Sequence, residues 1–205
     1  PWDLGKDFEQ SSVIAPITRA AAFTVGDQPI RLTVNGAVKQ DAKLAGMARA
    51  LSEYVLAAVL RAYRRFDRYA AHQLQGQWKP EPLPARERFA VGVPGLGVIG
   101  ADIAVTLARH GFAVRGHAQS RKVIEGAECR AGDAEFASFL DGLDVLVSVL
   151  PDTVATRGRL DRNALQRLAP GAHVVNVGRG TALVEADLLA LLDAGHLGGA
   201  TLDVF

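Results

Sequence analysis

The sequence predicts an α/β protein built on a doubly wound parallel sheet, preceded by a long amphipathic helix and a small β-rich segment. Three observations support this fold class. From residue 88 onward, short apolar runs alternate with helical ones, which is typical of parallel strands covered by helices on both faces. A Gly-x-Gly-x-x-Gly loop joins the first run to the first helix, as in a Rossmann-like domain. Hydrophobic residues make up 49% of the 205 residues, which is enough for a buried core.

Residues 1–45 are the predicted β-rich segment. They contain one alternating run, Ile30–Val34, followed by Asn35-Gly36 and by a second extended run, Ala37–Lys39. Asn-Gly between two extended runs predicts a β-hairpin, because both residues tolerate the positive φ angles of a tight turn.

Residues 46–87 are predicted to form the long helix and a Pro-rich linker. Between Met47 and Tyr69, apolar side chains recur with the period of a helix. The stripe consists of Leu51, Val55, Ala58, Val59, Ala62, Phe66 and Tyr69. Four arginines lie mostly off this stripe, and we interpret them as a solvated or subunit-facing side of the helix. Three prolines then interrupt regular structure between Gly76 and Pro84.

Residues 88–205 are the predicted Rossmann-like domain. Its candidate strands are Phe89–Val93, Phe112–His117, Ala127–Arg130, Val145–Leu150, His173–Val177 and Ala200–Val204. Its candidate helices are Ala101–His110, Glu135–Leu140, Asp161–Leu168 and Glu185–Ala194. The last strand runs into the final residues of the sequence, so the sheet is expected to be truncated.

The loop from Gly95 to Gly100 predicts a dinucleotide site. Its first glycine permits a tight turn, its second lets the backbone approach a pyrophosphate, and its third lets helix and strand pack closely. Unpaired N–H groups at the start of the helix favour an anion. The predicted contacts are Gly95, Gly97, Val98, Ile99 and Gly100. The alternative interpretation is a purely structural glycine turn.

The end of the second strand distinguishes NAD from NADP. A carboxylate there binds the ribose 2′-hydroxyl of NAD, whereas this sequence has Ser120, Arg121 and Lys122. A hydroxyl and two cations suit a 2′-phosphate, so NADP is the predicted cofactor; NAD is possible, and an ordinary basic surface turn is the alternative. Pro94 argues against tight binding, because a proline in a central strand removes a backbone donor and could reshape the loop.

The sequence Gly178-Arg179-Gly180 follows the fifth predicted strand. An arginine at this edge of the sheet could grip a substrate carboxylate in bidentate fashion and polarise the adjacent carbonyl. Spacing alone favours an ordinary exposed turn arginine.

Composition excludes several classes of protein. Lys and Arg number 23 against 22 Asp and Glu, and this near-neutral balance predicts neither a nucleic-acid nor a membrane partner. The single cysteine, Cys129, can form neither an internal disulfide nor a zinc site built on paired cysteines. The five histidines show no metal-ligand spacing, so no metal site is predicted. Without a signal-peptide pattern, a cytoplasmic protein is expected.

Residues 46–205 resemble the D-isomer-specific 2-hydroxyacid dehydrogenases, most of all their glyoxylate/hydroxypyruvate reductase A branch. The stretches that carry the resemblance are Met47–Tyr54, Arg64–Asp67, Gly95–Gly100, Ser120–Lys122, Leu150–Thr153, Asn176–Gly180 and Leu202–Phe205. The resemblance implies hydride transfer from NAD(P)H to a small 2-oxo acid such as glyoxylate or hydroxypyruvate. It also implies a homodimer, with the helix from Met47 contributing to the interface.

The resemblance also assigns roles to single residues. Arg179 matches the arginine that binds the substrate carboxylate and carbonyl, and Asp203 matches the aspartate that hydrogen-bonds the nicotinamide carboxamide. The other cofactor contacts that it implies are Leu150, Pro151, Thr156, Val177, Gly178 and Arg179 itself. The family's proton-donating histidine would follow Phe205, and losing a positioned acid costs roughly 10²–10⁴-fold in rate. The chain by itself is therefore expected to be nearly inactive, a non-catalytic dinucleotide-binding remnant.

Residues 1–45 resemble a different family, the fumarylacetoacetate hydrolases. The matching stretches are Trp2–Phe8, Ala15–Ile17 and Leu32–Gly36, and Lys6 matches an active-site lysine of that family. The alternative function is a fragment of this metal-dependent hydrolase, whose metal-binding carboxylates would lie upstream. The two resemblances meet near Leu44–Met47, which predicts a fused, mis-assembled or pseudogene-derived chain.

Overall fold

The structure is a computed structural model that describes residues 29–34 and 36–204. The strands are β1 (Pro29–Val34), β2 (Ala37–Lys43), β3 (Ala90–Pro94), β4 (Ala113–Ala118), β5 (Ala127–Ala131), β6 (Val145–Ser148), β7 (Ala172–Asn176) and β8 (Leu197–Leu202). The helices are α1 (Leu44–Tyr63), α2 (Phe66–Leu74), α3 (Val98–Arg109), α4 (Gly132–Leu140), α5 (Arg162–Leu165) and α6 (Glu185–Asp193).

Six parallel strands form the main sheet, in the order β5-β4-β3-β6-β7-β8. The first strand of this sheet, β3, lies in its middle. β4 and β5 follow on one side of β3, and the chain then crosses over to β6, β7 and β8 on the other side. Ligands of such sheets bind at the carboxyl ends of the strands, where the winding direction reverses. The predicted fold class is confirmed, and the reversal lies between β3 and β6.

Helices cover both faces of this sheet. On one face, Val55 and Val59 of α1 and Ile103 of α3 are fully buried against the sheet. On the other face, Phe139 of α4 and Leu191 of α6 enter the second apolar cluster. Burial on both faces explains why the central strands consist mainly of apolar residues.

The predicted single helix from Met47 to Tyr69 is wrong. α1 ends at Tyr63, whose ring packs edge-on against Phe89 at 5.1 Å between centroids, and Arg65 then adopts a left-handed φ of 55° before α2 begins. The buried face of α1 therefore ends at Tyr63, which the predicted stripe did not include, and Phe66 is 55% exposed on α2. The helical period of the sequence continues past the last residue that contacts the core, and periodicity alone does not show where those contacts end.

The Pro-rich segment is anchored at its C-terminal half. Glu81 accepts hydrogen bonds from Arg65 at 2.6 Å and from Arg68 at 3.0 Å, and the Tyr63 hydroxyl donates to the Pro84 carbonyl at 2.8 Å. These bonds fasten the segment to the junction of α1 and α2.

Two smaller differences concern the ends of elements. The predicted hairpin is present, with β1 and β2 antiparallel. The predicted helix Asp161–Leu168 is only the four residues of α5, with the Asp161 carboxylate capping it by accepting from the Ala164 N–H at 2.9 Å. β8 begins at Leu197, three residues before the predicted start. The prediction missed this start because Gly198 and Gly199 have low strand propensity.

No helix in the described ranges is both long and apolar enough to cross a membrane.

Candidate dinucleotide-binding site

The backbones that follow β3, β6 and β7 meet at the carboxyl edge of the sheet. Gly95 has a φ of 101°, and a Cβ at this position would lie 2.7 Å from the Val149 carbonyl oxygen. A Cβ at Gly178 would lie 2.7 Å from the Leu150 carbonyl oxygen. Both approaches are too close for any side chain, so two glycines let three loops share one small region. Gly178, two residues after β7, therefore lies against the backbone of Leu150; the roles of Val177, Gly178 and Leu150 as cofactor contacts stay predictions.

The glycine loop presents an open surface at the start of α3. Gly97 is the N-cap residue in an extended conformation, and a Cβ built on it would meet nothing within 4 Å. The first N–H groups of a helix have no intrahelical partner, and those of Val98, Ile99 and Gly100 open this helix. A Cβ on Gly100 would lie 2.0 Å from the Gly95 oxygen, so helix and loop are in direct backbone contact. The arrangement suits an anion approaching Gly97.

Pro94 leaves this loop intact. It is the last residue of β3, and its carbonyl accepts from the Val149 N–H at 3.1 Å on the β6 side. Its missing N–H would face the same side, where the β3–β6 register ends at Gly92 and Leu146. Gly95 still donates to the His117 carbonyl at 2.9 Å on the β4 side. The missing donor therefore falls beyond the end of the β3–β6 register, while the bonds of the Pro94 carbonyl and of the Gly95 N–H are both made.

The basic turn after β4 lies at the same edge of the sheet. Ser120, Arg121 and Lys122 are all exposed. Arg121 donates to a carboxylate oxygen of Glu135 at 2.7 Å, and the other oxygen of Glu135 accepts from the Ala131 N–H at 2.7 Å. The Ala131 N–H bond and the nearby guanidinium hold the pKa of the Glu135 carboxyl below its ordinary value. Sequence reasoning missed Glu135, because it is distant from the turn along the chain.

The loop that carries Arg179 is braced by a buried amide. Asn176, the last residue of β7, is fully buried; its side-chain oxygen accepts from the Gly178 N–H and its amide donates to the Arg179 carbonyl, both at 3.2 Å. The Asn176 backbone carbonyl accepts from the Asp203 N–H at 3.0 Å. Asn176 thus connects three predicted site residues. Its signal in the sequence was a polar residue directly after the apolar pair Val174-Val175 at the end of a strand.

Arg179 and Asp203 are both exposed at this edge. The Arg179 guanidinium donates to the carbonyl of the adjacent Gly178 at 2.8 Å, so it folds back on its own loop. No acidic side chain pairs with Arg179 among the described residues. A guanidinium without a carboxylate partner can bind an anionic ligand.

The loop after β6 carries the remaining predicted contacts. Leu150 is buried and Pro151 is exposed. The Thr156 hydroxyl donates to the Pro151 carbonyl and accepts from the Thr153 N–H at 3.0 Å, so its hydrogen-bonding capacity is used within the loop. Asp152 pairs with Arg157 at 2.7 Å, which holds the pKa of this carboxyl low. The role of Thr156 as a cofactor contact stays a prediction.

The histidine nearest this edge has a structural environment. His117, at the end of β4, is buried between Phe136 and Phe139, and its Nε2 lies 2.9 Å from the Gly132 carbonyl. Burial lowers the pKa of this imidazole. Within the described part of the chain, no three His, Cys, Asp or Glu side chains come together as a metal site would require.

Comparison with known proteins identifies the family. Residues 56–205 match the model of the D-isomer specific 2-hydroxyacid dehydrogenase NAD-binding domain. The chain belongs to this family. The match begins after the N-terminal segment, so it does not bear on the hydrolase resemblance, and Lys6, Trp2–Phe8 and Ala15–Ile17 lie outside the described residues.

Relatives within this family are reductases. Glyoxylate/hydroxypyruvate reductase A of Serratia proteamaculans is 44% identical over 160 residues, which are 78% of this chain and 51% of that protein. The enzyme of the same name from Salmonella typhimurium is 45% identical with the same coverage. The chain therefore spans about half the length of the curated relatives it matches.

Solved structures of the family superpose on this fold. A D-isomer specific 2-hydroxyacid dehydrogenase from Xanthobacter autotrophicus Py2, in complex with NADPH and MES, has a TM-score of 0.76 at 40% identity, covering 78% of this chain and 51% of that one. An NADPH-dependent glyoxylate/hydroxypyruvate reductase from Sinorhizobium meliloti, in complex with NADP and sulfate, has a TM-score of 0.75 at 35% identity, covering 88% and 56%.

Proposed function

We propose that the chain binds NADP(H) and belongs to a protein that reduces a small 2-oxo acid, of the glyoxylate or hydroxypyruvate type, to the 2-hydroxy acid. The observation that carries this proposal is the open backbone cradle at Gly97, placed at the point where the sheet reverses direction. The NADP(H) complexes of its structural relatives support the choice of cofactor.

The dinucleotide fits the residues at this edge. The open space at Gly97 and the first N–H groups of α3, those of Val98, Ile99 and Gly100, suit the pyrophosphate. Ser120, Arg121 and Lys122 would hold the 2′-phosphate through one hydroxyl and two cations. The other proposed contacts are Gly95, Leu150, Pro151, Thr156, Val177, Gly178 and Asp203. The bound cofactor supplies the hydride.

Arg179 is the proposed catalytic residue. Its exposed guanidinium can form two parallel hydrogen bonds with a carboxylate, which fixes the substrate and polarises its 2-oxo group. Asn176 holds the Arg179 carbonyl and the Gly178 N–H, so the backbone beneath the guanidinium is fixed from both sides. Positioning and charge stabilisation are therefore what this loop contributes.

A fluorescence titration with NADPH and, in parallel, NADH tests the cofactor assignment. We expect NADPH to bind at least roughly tenfold more tightly, because one charge-assisted hydrogen bond contributes about 1.5–3 kcal/mol. R121A should remove most of this difference, and R130A, which changes an arginine paired with Glu128 on β5, should not. Equal affinities would contradict NADP specificity, and failure of both cofactors to bind would contradict the dinucleotide site.

Oxidation of NADPH by glyoxylate or hydroxypyruvate tests the reaction. Turnover that is lost in R179K supports Arg179 as the carboxylate-binding residue, because lysine cannot form the bidentate fork. Turnover is measured on the whole protein to which the chain belongs, and tight NADPH binding without turnover there supports the alternative interpretation, a non-catalytic dinucleotide-binding protein.

We also propose that a second copy of the chain covers α2, in a cytoplasmic homodimer. α2 has no buried residue, Leu74 is 90% exposed, and Trp78 is 94% exposed beside a cavity of about 470 Å³. Apolar side chains this exposed are typical of an interface. Sedimentation should give a dimer that L74S and W78S weaken, whereas L189S, on exposed α6, leaves it unchanged. A monomeric wild-type chain would contradict this interface.

The single cysteine is a free thiol, which is compatible with the proposed cytoplasmic location, a reducing compartment.

A further inference from the structure

Glu135 is the one described carboxylate that contacts the basic turn proposed to recognise the 2′-phosphate. It lies on α4, beyond β5, and reaches the turn only because β4 and β5 are neighbours in the sheet. One of its oxygens is tied to the Ala131 backbone at the end of β5. The carboxylate is therefore held by the fold, whereas Arg121, at 66% exposure, extends from a surface turn.

Fixing such a guanidinium changes what it can bind. An unrestrained arginine side chain carries about 2 kcal/mol of rotamer entropy, part of which an anion must overcome when it orders the group. Arg121 is instead held at its Nη2 by Glu135, with Nη1 3.5 Å from the Cys129 carbonyl. A guanidinium has five N–H donors, so the Nε edge stays free for a second anion.

We propose that Glu135 is a positioning residue for NADP specificity: it holds Arg121 over the carboxyl end of β5, where the free N–H donors meet the 2′-phosphate. This inference rests on the proposed binding of NADP(H). The negative charge of Glu135 does not outweigh the positioning of Arg121. One carboxylate oxygen accepts from the Ala131 N–H, and the Arg121 guanidinium covers the other oxygen, which faces the basic turn.

A double-mutant cycle on Glu135 and Arg121 tests the inference. NADPH and NADH are titrated against the wild-type chain, E135A, R121A and the double variant. We expect E135A to weaken NADPH roughly two- to fivefold, the range for an exposed ion pair, and to leave NADH unchanged. In the R121A background, E135A should have no effect. E135Q should fall between the wild type and E135A, because the single carbonyl oxygen of glutamine cannot replace both carboxylate oxygens, one of which accepts from Arg121 and the other from the Ala131 N–H.

The matched control is E128A, which removes an exposed carboxylate of β5 that pairs with Arg130 and should change neither affinity. Two outcomes would overturn the inference: an E135A change that weakens NADPH binding equally with and without Arg121, or one that also weakens NADH binding. Either would show that Glu135 only stabilises the start of α4 through the Ala131 N–H. Tighter NADPH binding in E135A would show net repulsion and also overturn it. A wild-type chain without NADPH preference refutes the proposed cofactor itself, so the two failures are distinguishable.

Discussion

G100A should damage both the stability of the fold and the dinucleotide site. Its new Cβ would lie 2.0 Å from the Gly95 oxygen, more than about 1 Å short of an ordinary contact, and the obstructing atom is backbone, which no rotamer change can move. Overpacking typically costs about 1–3 kcal/mol, and the better helix propensity of alanine returns up to about 1 kcal/mol. We expect a net loss of about 2 kcal/mol, seen by circular dichroism as a thermal midpoint lower by roughly 4–8 °C.

NADPH affinity should fall as well, because α3 must move away from the loop that presents its N–H groups. A loss of one charge-assisted hydrogen bond corresponds to roughly a tenfold weaker complex. G97A is the matched control: its Cβ meets nothing within 4 Å, so its stability should change by about 0.5 kcal/mol or less while NADPH still binds more weakly. The reasoning is refuted if G100A keeps the wild-type midpoint, or if G97A is destabilised as strongly as G100A.

Two further predictions concern the stability of the chain. F139A removes a fully buried ring and should cost about 3–5 kcal/mol in urea unfolding, whereas L189A, on the exposed side of α6, should cost far less; similar values for both would contradict the assigned core. Burial lowers the folded-state pKa of His117 and of His173 below 6.5, so the unfolded chain binds more protons and stability should fall as the pH drops from 7 to 5. H173Q should reduce this slope in thermal melts at several pH values, and an unchanged slope would contradict the contribution of His173.

Local spacing in the sequence was sufficient for most of the fold. The central strands β3, β6 and β7 are short, mainly apolar runs, and the glycine loop lies between one such run and a helix, so both features are recognisable within a few residues of chain. The same local rule also produced the main error. Phe66 and Tyr69 continue the helical period of α1, but the core that the stripe serves ends at Tyr63.

The sequence by itself determined the fold class and most of the elements, and it predicted a dinucleotide site at Gly95–Gly100 and, through the family resemblance, a substrate-binding role for Arg179. Only the tertiary structure decided which groups stand side by side. Strand order brings the loops after β3, β6 and β7 within one contact distance, buries Asn176 beneath Arg179, and places Glu135 against Arg121. Such contacts join residues that are distant along the chain, and they leave no periodic signal because the distance between them is set by packing rather than by local backbone geometry.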